Sequence, residues 1–499
     1  MHSLTETAIA EPTSLRAQAP PDKGQAIYVQ GLQALRDGKA DVAVSLLTQA
    51  LRWQPTHFAM RRNLVRALLI SEAFEQVVVQ ANAALSGMPD DAELHFARGT
   101  ALNALGHHAQ ACAALARALS LQPDHAPSWL NMGNASTDLD DLTSAETLYR
   151  SAIRVDSTLA EAHASLGYVL TRQGRLNEAI TACETATGMR PDFAQAHWNL
   201  AFATLLTGDL QRGFVEYEWR KRHTRHGADF PVLPGRVWDG TDAGGQTILV
   251  RGEQGFGDVI QFARYLPLIR DMGGSPILMC AATLVPLVAS MPGIRVVSSS
   301  DALPAYDSWI DQLSLPRVFG TSLHTIPAPD AYLSVDPIRV RAWRARLQDG
   351  DQPGEIRRIG VAFAGNPRHR SDQRRSIPAG FDLHLPDLPN LNYVSLQYGH
   401  AAGLPGVNDL TLWMSDYAET AALIDTLDLV ITVDTSVAHV AGALGKPVWI
   451  LLPHAPDWRW LLGRSDSPWY RSARLFRQPT PGDWTSVLAE VAQALTLAC

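Results

Sequence analysis

The sequence predicts an α-solenoid of helical hairpins followed by an α/β region built as two parallel-sheet lobes. Three observations carry this expectation. Columns of proline, alanine and glycine recur every 34 residues over roughly the first 222 positions, the recurrence dissolves into a stretch rich in glycine and proline, and beyond it short apolar runs alternate with helical patterns.

The periodic half is anchored by Pro55, Pro89, Pro123 and Pro191, with Ser157 filling the missing slot. On the same spacing stand Ala50, Ala84, Ala118, Ala152 and Ala186, and small residues at Gly99, Gly133, Gly167 and Ala201. A further column holds Gly38, Gly106, Gly174 and Gly208, with Glu72 and Asp140 replacing glycine at two places. A small residue on the first helix of a hairpin lets the second pack closely, glycine ends the first helix, and proline follows the second. The pattern resembles tetratricopeptide repeats, with five repeats from Gly24 to His197 and a sixth pair from Trp198, so that 24–222 form the solenoid. Residues 1–23 lack both a basic start and an apolar run and are expected to be a disordered tail, not a signal peptide. Asn63, Asn131 and Asn199 share one slot of the first helices, expected to face the groove. Their amides could hold an extended peptide backbone, an arrangement that resembles the asparagine ladder of O-GlcNAc transferase repeats; asparagine also occurs at this slot in repeats that bind nothing of the kind.

Length and composition bound what the chain can do. At 499 residues two or three domains are expected, and 46% hydrophobic with 18% charged residues suits a soluble protein. A formal net charge of −8 argues against nucleic-acid binding, so any anion site must be local. No apolar run is long enough to span a bilayer, which argues against an integral membrane protein. The four cysteines, Cys112, Cys183, Cys280 and Cys499, are scattered without paired spacing, so neither a disulfide framework nor a zinc site is signalled and a cytoplasmic setting is expected.

Residues 223–246 read as a linker. A first lobe over 247–345 opens with the strand Thr247–Arg251, the glycine loop GEQGFGD and a helical pattern over Val259–Arg270, followed by strand candidates at Ile277–Met279 and Ile294–Val297. Arg339–Arg346 and the polar run Asp349–Glu355 read as a connection. A second lobe over 356–499 follows, with strands expected at Arg358–Phe363, Tyr393–Leu396, Leu429–Val433 and Pro447–Leu452 and helices at Glu419–Leu427 and Val437–Leu444. Two such lobes place a cleft at the carboxyl ends of their strands.

Chemistry-bearing residues gather at those strand ends. Asp258 closes the glycine loop at a helix start, where a carboxylate serves either as a cap or at the mouth of the cleft. Asp434, Thr435 and Ser436 stand between a buried strand and the helix carrying His439; hydroxyls and free amides at a helix start suit a diphosphate. His439 itself reads equally as a structural hydrogen-bonding group. Asn366–Ser376 holds Arg368, Arg370, Arg374 and Arg375 against one acid, Asp372, either a solvated loop or a phosphate contact. Gln397 follows the next strand as a candidate nucleotide contact. Trp458, Trp460, Trp469 and Tyr470 suit packing against the cleft wall better than stacking on sugars.

Gly255–Pro267 (GFGDVIQFARYLP) and Leu429–Leu452 (LVITVDTSVAHVAGALGKPVWILL) resemble the two signature segments of heptosyltransferase-like, family 9-like glycosyltransferases, whose fold is the two-lobed GT-B arrangement. The resemblance implies a metal-independent transferase without a cofactor that moves a sugar from a nucleotide-diphosphate donor to a protein or glycan hydroxyl. It implies Asp258 as general base and Gly257, Asn366, Arg368, Arg374, Arg375, Gln397, Asp434, Thr435, Ser436 and His439 on the donor. The repeats would then present the acceptor or a protein partner in their groove. Ser436 departs from the family's glycine, and Arg374 from its usual lysine. Two alternatives stand beside this reading. One is an interaction scaffold with an inactive transferase-like domain. The other is a dinucleotide oxidoreductase, which Gly252, Gly255 and Gly257 fit poorly because their spacing is G-x-x-G-x-G.

Overall fold

The computed structural model describes residues 23–223, 232–348, 357–368, 372–383, 385–386, 391–398 and 406–498. Residues 1–22 of the expected N-terminal tail, the polar run at 349–355, the first part of the linker (224–231) and Arg370 lie outside the described residues, and Lys23, expected in the tail, opens the first helix. The chain divides into two compact units, one ending at Val169 and one beginning at Leu170.

The helices come in antiparallel pairs: α1 (Lys23–Arg36) with α2 (Ala40–Trp53), α3 (Phe58–Ile70) with α4 (Phe74–Leu85), α5 (Ala92–Ala104) with α6 (His108–Leu121), and α7 (Ala126–Asp138) with α8 (Leu142–Val155). The division between units falls within α9 (Ala160–Arg172), which is followed by α10 (Leu176–Met189), α11 (Ala194–Thr207) and α12 (Leu210–Tyr217). The column of turn residues is a column of left-handed backbone: Gly38, Gly106, Gly174 and Gly208 have φ between 72° and 91°, and Glu72 and Asp140 have φ of 55° and 65°. Two non-glycine residues therefore hold a conformation that costs about 1–2 kcal/mol, because the hairpin geometry fixes the backbone whatever the side chain. The alanine column is buried for a similar reason: Ala50, Ala84 and Ala152 have no exposed surface and Ala118 is 1% exposed. At Gly133 an added Cβ would lie 2.6 Å from the Tyr149 ring, so α7 and α8 are in contact through the missing side chain.

The second unit continues into two sheets, all of whose strands are parallel. The first contains β1 (Arg236–Val237), β2 (Thr247–Arg251), β3 (Ser275–Cys280), β4 (Arg295–Ser298) and β5 (Ser308–Asp311), in the order β1-β5-β2-β3-β4. Helices α13 (Phe256–Phe262), α14 (Leu266–Asp271), α15 (Val285–Val288) and α16 (Leu315–Val318) accompany it, and α17 (Pro337–Gln348) follows. The second contains β6 (Arg357–Ala362), β7 (Leu391–Ser395), β8 (Val407–Asn408), β9 (Leu429–Val433), β10 (Val448–Leu452) and β11 (Ala473–Arg477), in the order β11-β10-β9-β6-β7-β8, with α18 (Asp372–Arg375), α19 (Tyr417–Asp425), α20 (Ser436–Ala443) and α21 (Trp484–Ala498). In each sheet the first long strand has later strands laid to both sides. The reversal falls between β2 and β5 in one sheet and between β6 and β9 in the other, and such switch points open a crevice at the strands' carboxyl ends. This is a helical-repeat solenoid followed by a GT-B-like pair of parallel-sheet lobes.

Two connections differ from the sequence expectation. Arg339–Arg346, expected as a basic linker, lies within helix α17: Trp343 is fully buried and donates its indole N–H to Glu419 Oε2 at 2.8 Å, while Arg339 pairs with Glu419 and Asp416 at 2.5 and 3.4 Å. Val340, Trp343 and Leu347, all buried, form the i, i+3, i+7 stripe that docks the helix on α19, and the arginines between them make the composition read as a linker. In the expected linker, β1 pairs with β5, and Trp238, 1% exposed, bonds to the Asp242 carbonyl at 2.9 Å. A two-residue strand and one tryptophan leave no periodicity to read.

The close approach at Gly133 is testable. Gly133→Val overpacks against Tyr149 and should destabilise the repeats by about 1–3 kcal/mol, read as a lower urea midpoint of the helical circular dichroism signal. An unchanged midpoint would contradict that packing.

Candidate functional site

The loop after β2 begins at Gly252 and ends on α13, whose third residue is Asp258. Asp258 Oδ2 accepts the Gly255 N–H at 2.8 Å, which is the helix-capping role. Its other oxygen has a second role. Asp258 Oδ1 accepts from Arg459 Nη2, a residue of the second lobe some 200 positions away in sequence. Arg459 also donates from Nε to Gln261 Oε1 at 2.6 Å and from Nη1 to Asp457 Oδ1 at 2.8 Å, and it lies over the Trp458 ring at 4.4 Å. Burial works against its charge, but Asp457 and Asp258 more than offset that and hold the guanidinium protonated.

Across the crevice, β9 ends at Val433 and α20 begins at Ser436. Thr435 caps this helix, its Oγ1 accepting the Val437 N–H at 3.3 Å, and Ser436 Oγ shares a 2.8 Å hydrogen bond with Tyr417 Oη. Asp434 is half-buried beside Asp457; burial, then the Asp457 charge, push its carboxyl up to about 6, against the pull of Arg375 and Arg459. α13 and α20 meet at Gly257, where an added Cβ would lie 2.6 Å from the His439 ring. His439 is buried, bonded through Nδ1 to Tyr470 Oη at 2.9 Å, and stacked on Trp460 with ring centroids 5.7 Å apart. Burial, reinforced by Arg459, Arg264 and Arg375, pushes its imidazole well below the ordinary histidine range, so it is neutral.

The arginine-rich segment contributes unequally. Arg375 donates to Asp372 at 3.2 Å, and both side chains lie over Gly365, where an added Cβ would collide with them. Its charge acts on both Asp434 and His439, so Arg375 belongs to the β6–β9 switch point. Arg368 and Arg374 are exposed, and Asn366 uses its Oδ1 to accept the Arg368 N–H at 3.0 Å. Gln397 is committed to main chain: Oε1 accepts from Phe363 and Ala364 N–H at 3.1 and 2.9 Å, and Nε2 donates to the Ala364 carbonyl at 2.9 Å. It fixes the turn after β6. Trp458, Trp460, Trp469 and Tyr470 are all at most 3% exposed, which makes them packing residues.

Of the repeat asparagines, Asn63 and Asn131 lie in the first unit and Asn199 in the second. Asn63 Nδ2 donates to Tyr28 Oη at 2.7 Å and Asn131 Nδ2 to Thr100 Oγ1 at 2.8 Å, each reaching the preceding repeat. Asn199 is 5% exposed and accepts from Gln195 at 2.9 Å. The Asn63 and Asn131 amides tie adjacent repeats together, whereas the Gln195–Asn199 bond lies within α11.

The structure thus brings Asp258, Gly257, Asp434, Thr435, His439 and Arg375 into one cluster at the strand ends of the two lobes, and adds Arg459 and Asp457. Around Trp458 and Trp460 the aromatic rings dominate the local pattern and mask the charged groups beside them. The available signal was Arg459 itself, a cation between two tryptophans just past the carboxyl end of a buried strand.

Comparison with known proteins adds two family matches. A model of glycosyltransferase family 9 (heptosyltransferase) matches residues 415–457, and a tetratricopeptide-repeat model matches 96–164, 130–192 and 165–218. The chain is 27% identical over 514 residues to Protein FlbA of Caulobacter vibrioides, covering 95% of this chain and 79% of that one. Among solved structures it is similar to a tetratricopeptide-repeat protein of Parabacteroides merdae (17% identity, TM-score 0.35, 39% of this chain and 77% of that one). It is also similar to a thermophilic repeat protein of Thermus thermophilus (23% identity, TM-score 0.31, 36% of this chain and 99% of that one).

The raised Asp434 carboxyl has a measurable consequence for anions. A nucleotide sugar keeps a constant diphosphate charge over this range, whereas Asp434 passes from mostly neutral below pH about 6 to mostly ionised above it. Affinity for any constant-charge anion that docks at the start of α20, with a nucleotide sugar as the probe, should therefore fall about three- to tenfold between pH 5 and pH 7.5, and Asp434→Asn should flatten the dependence. Calorimetric titration reads this directly; a pH-independent affinity in the unmodified chain would contradict the assignment.

Proposed function

We propose that the chain is a glycosyltransferase that moves a sugar from a nucleotide-diphosphate donor to an acceptor hydroxyl, with the repeats recruiting the acceptor or a protein partner. The observation that carries this reading is the Arg459 bridge, which ties Asp258 of the first lobe to Asp457 of the second beside Asp434 and the start of α20. Further support comes from the family 9 match, which spans Asp434–His439 and Asp457.

In this mechanism Asp258 takes the proton of the acceptor hydroxyl as that oxygen bonds to the anomeric carbon. The bond from the anomeric carbon to the diphosphate oxygen breaks, and the nucleoside diphosphate leaves with one additional negative charge. Arg375 and the amide groups at the start of α20 receive that charge, a cradle formed before the reaction begins. Arg459 holds Asp258 against the donor lobe, so the base and the leaving-group site are fixed to each other and not merely to their own sheets.

Incubating the full chain with a panel of nucleotide sugars, and measuring donor hydrolysis and transfer, tests the reading. Asp258→Asn should lower turnover by about 10²–10⁴-fold while donor affinity stays within a few-fold. Turnover retained by that variant would remove Asp258 as the base, and a chain that binds no nucleotide sugar would instead be a scaffold.

A further inference from the structure

The last repeat helix does not end in solvent. α12 passes at Tyr217 into a short 3-10 turn, Glu218–Lys221, which lies against the loop that carries Asp258. Arg220, with no exposed surface, makes a two-point contact with Glu253 of that loop, Nε to Oε2 at 2.9 Å and Nη2 to Oε1 at 2.6 Å. It also donates to Glu218 at 2.9 Å, to Ser314 Oγ at 3.0 Å and to the Tyr217 carbonyl at 3.2 Å. Glu253 Oε1 accepts in addition from the Leu313 N–H at 3.0 Å, which ties the β2 and β5 ends of the switch point to the repeat. Lys221 completes the junction with Asp311 at 3.0 Å, and Asp311 in turn pairs with Arg251 at the end of β2.

One residue further along the loop, Gln254 has φ of 61°, a left-handed conformation without glycine's freedom. Such backbone costs on the order of 1–3 kcal/mol and persists only where surroundings over-determine it. Tyr217 supplies one of those constraints, its hydroxyl donating to Gln254 Oε1 at 3.1 Å. Between Gln254 and Asp258 stand only Gly255, which caps α13, and the helix's first two residues, Phe256 and Gly257, so the backbone at Gln254 sets where α13 and its Asp258 begin. Tyr217 also packs edge-on against Trp458 at 6.2 Å, and Trp458 adjoins Arg459. The final repeat helix therefore touches both sides of the Asp258–Arg459 pair.

We infer that Tyr217 and Arg220 are positioning residues of the transfer site: the terminal repeat fixes Glu253 and Gln254, and through them sets where Asp258 meets the acceptor hydroxyl. The inference rests on Asp258 being the base. On this view the repeat array is more than a tether for acceptors, since its last helix is a structural half of the turn that presents the catalytic carboxylate. Turnover of even a small acceptor, or of water, depends on it.

The test uses the full chain carrying Tyr217→Phe or Arg220→Lys, beside Asp258→Asn. Hydrogen exchange of the segment 252–262 and donor hydrolysis with the nucleotide-sugar panel are measured on each. Tyr217→Phe should keep the parent's thermal midpoint within a few degrees, raise exchange in that segment without raising it in β9 and α20, and lower kcat about tenfold to a hundredfold with KM for the donor within twofold. Arg220→Lys should do the same more strongly; should it fail to fold, Tyr217→Phe decides alone. Parent-like exchange in the segment, or kcat within twofold of the parent, overturns the inference. Failure of the underlying reading looks different: Asp258→Asn that still turns over removes the base, whereas Asp258→Asn inactive beside a normal Tyr217→Phe removes only the positioning role. A parent that hydrolyses no donor of the panel counts against the transferase reading, and exchange alone then decides whether α12 fixes the turn.

Discussion

A buried guanidinium held between carboxylates of two different lobes is the constraint on which the candidate site depends. Arg459 is 6% exposed, and a cation so placed persists only if its charge is balanced and its N–H groups are met. Asp457 comes from its own lobe, while Asp258 and Gln261 come from the other. Satisfying one arginine therefore fixes the distance between the carboxyl ends of two strands that share no sheet. The Gly257–His439 contact enforces the same closeness by shape: any side chain at Gly257 would hold α13 and α20 apart.

Around that bridge the acid and base groups are separated by environment. Asp434, half-buried and crowded by Asp457, is pushed up to about 6, and His439 is held neutral by burial among cations. Two buried arginine clusters, Arg459 with its acids and Arg220 with Glu253 and Glu218, hold the two ends of the same glycine loop. Glu218 shows how strongly the second is charge-balanced: burial would raise its carboxyl, yet Arg220 and Lys221 hold it down to about 2. A loop pinned by ion pairs at both ends can carry glycines at Gly255 and Gly257 without losing its shape.

The legible parts of the sequence were those where one physical requirement repeats or acts locally. A left-handed turn every 34 residues recurs as a column, and the structure keeps φ positive there even at Glu72 and Asp140. β9, apolar on both faces, matches its expected bounds of Leu429–Val433. What stayed hidden was non-local. Arg459 meets Asp258 across two lobes, Arg220 meets Glu253 across a domain boundary, and Gln397 turns back on a loop some 30 residues earlier; none of these leaves a periodic trace. Arginine-rich composition also concealed α17, a helix anchored by buried Val340, Trp343 and Leu347.

The most direct measurement of the central claim is a crystal structure of the full chain with a non-hydrolysable nucleotide sugar. The account predicts the diphosphate against Arg375 and the start of α20, with the anomeric carbon turned toward Asp258 across the crevice. A diphosphate bound on another surface, or a sugar directed away from Asp258, would contradict it.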